Sequence, residues 1–179
     1  MTVACIRIGA VRLCLALMLG LLVVSGYVVA PVLFANAGSS TLAGALAGDV
    51  FHVANRGIIF LAVAVMVFWF RMRKSGLEIG RLRWILLLLV TALIAGNEFA
   101  IAPIIAELKS HIASFDALAA DDPQRQLFGV WHGVSAIIHL LASICAAVLV
   151  ALGATRPVQY EELEKPTEPE QAAQATEQA

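Results

Sequence analysis

Leu13 to Phe34 reads LCLALMLGLLVVSGYVVAPVLF, 22 residues without a charge. A bilayer core about 30 Å thick is crossed by roughly 20 apolar residues in a helix, so this stretch alone is long enough to span. Three more follow. Val50 to Phe70 has 21 residues and is broken by Arg56; Trp84 to Ile105 has 22 and is broken by Glu98; Leu127 to Leu152 has 26 and contains two histidines. An open strand would leave its backbone unpaired in lipid, so all four are helices. The predicted fold is all-α, an integral membrane four-helix bundle over residues 1–153, with spans near 13–34, 50–70, 84–105 and 127–152. Residues 154–179 form an acidic tail.

Composition agrees. Of 179 residues, 60% are hydrophobic and 14% charged, and the mean hydropathy is +0.86, more apolar surface than a water-soluble domain of this length can hide. The formal charge is −1. The acidic excess belongs to the tail, where Glu161, Glu162, Glu164, Glu168, Glu170 and Glu177 face only Arg156 and Lys165. No basic surface large enough for nucleic acid is left. Rich in Glu, Gln, Pro and Ala, the tail is expected to be a disordered segment that solubilises the chain or docks an unknown cytoplasmic partner. Cys5, Cys14 and Cys145 are an odd number without paired spacing, so neither a disulfide framework nor a CxxC metal clip is indicated.

Arg7 and Arg12 before the first apolar run, with Ala35-Asn36-Ala37 after it, imitate a cleavable leader. A leader's apolar core is about 7 to 15 residues, so an uncleaved span is the better reading. The link between the second and third spans carries Arg71, Arg73, Lys74, Arg81 and Arg83, residues 35–49 carry no basic group, and residues 106–126 carry Lys109 and Arg125. The positive-inside rule then puts both termini and the basic link in the cytoplasm, in an inner membrane of bacterial type. Residues 36–48 read as a turn, and residues 107–120 as a short amphipathic extension of the third span ended by Asp121-Asp122-Pro123.

Ionisable groups inside a bilayer are costly unless paired or hydrated, so the few present are informative. Arg56 lies about a turn and a half inside Val50 and Glu98 about two turns inside Ile105, depths that agree within a few ångström. They are expected to pair. His52 precedes Arg56 by four residues on the same face, and Asn97 adjoins Glu98. His132, Ser135 and His139 form one stripe on the fourth span, and Gly133 lets a neighbouring helix approach. His132 is then expected to face the bundle and Trp131 the lipid.

Three readings of this polar cluster compete. In the first it is structural, hydrogen-bonding helix to helix. In the second the candidate ligands His52, His132 and His139 hold haem, copper or zinc in a redox membrane subunit; His132 and His139 lie about 10 Å apart along the helix, so one small ion would need a ligand from another span. In the third the cluster relays a proton, an ion or a small solute. Tyr27, Pro31 and Pro103 near the outer ends would then mark kinks or cavity mouths, although prolines there also simply stop helices. Gly44-xxx-Gly48 and Gly129-xxx-Gly133 match the small-xxx-small spacing of close helix contacts and allow a homo-oligomer. No phosphate loop, nucleophile elbow, HExxH or paired carboxylate marks the spans, so the chain does not read as an enzyme.

Ala30-Pro31-Val32-Leu33-Phe34, Ala43-Gly44 with Phe51, Asn97-Glu98 with Ile101-Ala102-Pro103-Ile104, and Phe128-x-x-x-His132-Gly133-x-Ser135 together resemble the family typified by transmembrane protein 205, also known as domain of unknown function 4149. The resemblance covers about residues 10–153 and implies a four-span membrane protein, with no particular activity attached. One departure is His139, four residues after Ser135, where the resemblance leads one to expect Asn. An amide there would hydrogen-bond rather than bind iron.

Overall fold

The computed structural model describes residues 3–112, 115–119 and 121–154; almost all of the acidic tail lies outside them. Every regular element among the described residues is helical, and four helical stretches are long and apolar enough to cross a membrane: Cys5–Asn36, Ser40–Lys74, Arg81–Ser110 and Pro123–Leu152. The protein is a multi-pass membrane protein with an all-α four-helix bundle.

Each span outruns its apolar core. The first comprises α1 (Val3–Val23), a π-helical turn (Val24–Val29) and α2 (Ala30–Asn36). Only residues 37–39 separate it from α3 (Ser40–Lys74), so the expected turn over 36–48 is mostly helix. Two local signals set this boundary: Gly38 takes the left-handed φ of +76°, and the Ser39 hydroxyl accepts from the Leu42 amide at 3.2 Å as an N-cap. At its other end α3 stops at Gly76, with φ +83°. The third span comprises α4 (Arg81–Gly96), a second π-helical turn (Asn97–Ile101) and α5 (Ala102–Ser110). The fourth is α6 (Pro123–Leu152), capped by the Asp122 carboxylate and opened by Pro123.

Pro31 and Pro103 do not stop their helices. Proline lacks an N–H and its ring crowds the carbonyl four residues back. A widened π turn immediately before each absorbs the defect, with the Ala30 amide bonded to Ser25 O and the Ala102 amide to Asn97 O.

Around the bundle each helix packs on its neighbours in the chain, and α1 closes the ring against α6. The buried core gathers in one half: Val11, Leu15, Met18 and Leu22 meet Ile58, Ala62, Val65, Trp69 and Met72, Leu87, Val90 and Ile94, and Ala142, Ala146 and Leu149. Arg83 belongs to this half as well. Its Nε donates to Gly153 O at 3.0 Å and its guanidinium also reaches Leu152 O, so this basic residue closes the last turn of α6. By contrast α2 and α5 have no buried residue. The bundle is packed at the end nearer the basic link and open at the other.

The two halves of the chain repeat each other. Val11, Leu15, Met18, Leu22 and Ser25 are buried on the first span, and Arg83, Leu87, Val90, Ile94 and Asn97, each 72 positions later, on the third. Pro31 and Pro103 share that offset, as do Gly26 and Glu98. On the other spans Asn55, Ile58, Ala62 and Val65 correspond to His139, Ala142, Ala146 and Leu149, each 84 positions later. The same pattern of buried positions thus recurs in two helical hairpins, the first and second spans and the third and fourth.

Candidate functional site

The open half encloses a cavity of about 1090 Å³ bordered by all four spans. At its deep end Glu98 projects from the second π turn with a side chain only 2% exposed. His52 Nδ1 lies 3.0 Å from both carboxylate oxygens. Asn55 Nδ2 donates to Oε2 and Arg56 Nε to Oε1, each at 3.2 Å. A carboxylate only accepts, so opposite one His52 is the donor, through Nδ1. Arg56 does not share the burial: 73% of its side chain is exposed, and it balances Glu98 from outside the cluster.

The equivalent place in the other hairpin is built differently. Where the first π turn would carry a side chain matching Glu98 it has Gly26, and His139 fills the space. A Cβ on Gly26 would lie 2.6 Å from His139 Nε2. That nitrogen instead stands 2.9 Å from Leu22 O. The ring is held edge-on by Phe51 at a centroid distance of 5.2 Å. Two hairpins thus close the cavity floor with Asn55 over Glu98 on one side and His139 over Gly26 on the other.

Lys109 stands at the outer end. Its Nζ donates to Gly44 O at 2.8 Å, and a Cβ on either Gly44 or Gly48 would lie 3.7 Å from the ammonium. The Gly44-xxx-Gly48 spacing therefore seats a lysine and not a helix backbone. Above it the Phe115 amide donates to Thr41 Oγ1 at 3.0 Å, and Phe115 rests on Phe128. This ties Phe115 to the first turn of α3 and to α6.

His52, Asn97, Glu98, His132, Ser135 and His139 all border the cavity. Gly133 does not serve as expected: nothing lies within 4 Å of a Cβ built there, nor on Gly129, so the close approach occurs at Gly26 instead. His132 is exposed and stacks on Phe128 at 5.8 Å, while Trp131 is half-buried. His132 nonetheless borders the cavity between the spans, and it is left uncovered because the bundle is open at this level. No group of three or more His, Cys, Asp or Glu residues that could hold a metal ion is found among the described residues. His52, His132 and His139, the histidines proposed as ligands, all border the cavity without forming such a group.

Asn55 and Lys109 are missing from the expected cluster. Asn55 had a signal, three residues after His52 on the same face, but a neutral amide does not stand out in an apolar run as a charge does. Lys109 reaches inward from beyond the apolar core through its long stem.

A family model described as "Domain of unknown function (DUF4149)" matches residues 13–114, from the first span through the third. No curated protein and no solved structure matches the chain.

Proposed function

Because the chain belongs to the family described as Domain of unknown function (DUF4149), a description that names no activity, we propose a function from the geometry: this multi-pass membrane protein carries a small solute or an ion through the cavity. The observation that supports it is the placement of the cavity between two similar hairpins, beside the π turns of the first and third spans. Carriers built from parallel repeats put their site at the repeat interface and work by rocking one repeat against the other. Below the floor here lies the packed half, so passage requires Leu22, Ile94 and Ala142 to part from their neighbours.

A cysteine at Ala142, in a chain whose Cys5, Cys14 and Cys145 are replaced by serine, tests this without knowledge of the solute. A membrane-impermeant thiol reagent should modify it slowly from the cytoplasmic face. A cysteine inert for hours from that side would make the cavity a dead end, and the carrier reading would fall.

We further propose an inner membrane location with cytoplasmic termini, on the strength of the basic 71–83 link. Single cysteines at Ser39 and Asp121 should react from outside and one at Ser75 should not; the opposite pattern inverts the orientation. The finer likeness to transmembrane protein 205 rests on Phe128-x-x-x-His132-Gly133-x-Ser135, beyond the matched residues.

A further inference from the structure

The deep end of the cavity offers acceptors without donors. Asn55 Oδ1, Asn97 Oδ1 and His139 Nδ1 are buried and have no hydrogen-bond partner, on residues 2%, 5% and 5% exposed that all border the cavity. Two of the three are fixed by chemistry. Asn55 turns its amino group to the Glu98 carboxylate, so its oxygen must point elsewhere. His139 Nε2 faces the Leu22 carbonyl, which only accepts, so Nε2 carries the hydrogen and, in the neutral imidazole, Nδ1 presents a lone pair. Buried acceptors left unmade are costly, and such sets mark where a missing partner belongs.

We propose that this partner is the ammonium group of a primary amine with a compact apolar body, bound amino end inward. The proposal rests on the cavity's being a solute site, and it names the class of solute. An ammonium supplies three donors, as many as the buried acceptors that lack a partner on these residues. Its charge suits the neighbourhood, since the Glu98 carboxylate borders the cavity at this end while Arg56, which pairs with it through Nε, is 73% exposed and is not among the residues bordering the cavity. Ala30, Ala102, Ala136 and Phe51 supply apolar wall for the body, and the volume is that of a typical small-molecule site. Lys109 fixes the direction: a cation at the outer end would meet an ammonium that borders the cavity, whereas at the deep end Arg56 is held against the Glu98 carboxylate.

The test compares three probes with one cyclohexyl body on the purified full chain at neutral pH, where an alkylamine is protonated: cyclohexylamine, cyclohexyltrimethylammonium and cyclohexanol, titrated by calorimetry in detergent. Cyclohexylamine should saturate one site. The quaternary compound has the charge but no N–H and should bind about tenfold more weakly or worse, and the alcohol, with one donor and no charge, should also fall behind. Asn55→Leu should remove the preference for the amine. Should that variant fail to fold, having also lost a donor to Glu98, Asn97→Leu takes away one acceptor and leaves the carboxylate's bonds intact, and should weaken amine binding about tenfold with the quaternary unchanged. Equal or tighter binding of the quaternary compound, or no saturable binding of any probe, overturns the proposal; buried water would then be what meets the acceptors. Selective amine binding with an inert Ala142→Cys leaves the amine site standing and removes the carrier reading. A reactive cysteine without amine preference does the reverse.

Discussion

Glu98→Leu is expected to be the most damaging single substitution in the bundle. It would leave Asn55 Nδ2 and His52 Nδ1 facing a hydrocarbon side chain where a carboxylate accepted from both, and would strand the charge of Arg56. Breaking a buried ionic cluster by removing the central partner costs about 3 to 5 kcal/mol, a large share of a native stability of about 5 to 15 kcal/mol. Arg56→Leu should cost far less, because the guanidinium is largely exposed and the carboxylate keeps its contacts with His52 and Asn55. In the double variant no stranded arginine remains, so its loss should be smaller than the sum of the single losses. Thermal unfolding in detergent of the three variants measures all of this. A Glu98→Leu protein as stable as the parent, or losses that simply add, would mean that the carboxylate does not organise the floor.

The second large effect is expected from adding one methyl group, at Gly26. A Cβ there would sit 2.6 Å from His139 Nε2 and 2.9 Å from Cδ2, closer than such atoms approach. The ring cannot simply retreat, since Phe51 packs against it and Leu22 O holds its nitrogen. In Gly26→Ala the imidazole must swing away, and overpacking of this kind costs about 1 to 3 kcal/mol with a buried hydrogen bond worth about 1 kcal/mol lost besides. His139→Ala opens the space that the methyl needs. The double variant should therefore be more stable than Gly26→Ala alone, and a melting series that shows no such rescue would place the strain elsewhere.

The four spans were legible because apolar length in lipid admits one structure. Their ends were not, because Ser39, Gly38 and Gly76 act through single dihedrals and single hydrogen bonds that hydropathy does not register. Among the site residues the ionisable ones stood out by their cost in a membrane, and Arg56, His52 and Glu98 do meet. What each does was hidden in packing. Gly133 and Gly26 look equally permissive as letters, yet only Gly26 faces a ring. The repeat escaped notice for a similar reason: its offset is 72 on one pair of spans and 84 on the other, since the second connection is longer, so no single period runs through the chain. The π turns leave the apolar pattern untouched, and only the prolines after them give a hint.

Packing at one end and space at the other separate two kinds of selective constraint. The residues that hold the helices together lie in the closed half, while α2 and α5, with Ala30, Ala102 and Ala106 on the cavity wall, contribute nothing to the buried core. Enlarging one of those alanines would reshape the chamber without excavating the scaffold. A lineage built on this bundle is thus free to retune what it admits by small changes of wall volume, at little risk to folding, and the same scaffold is open to diversification of cargo.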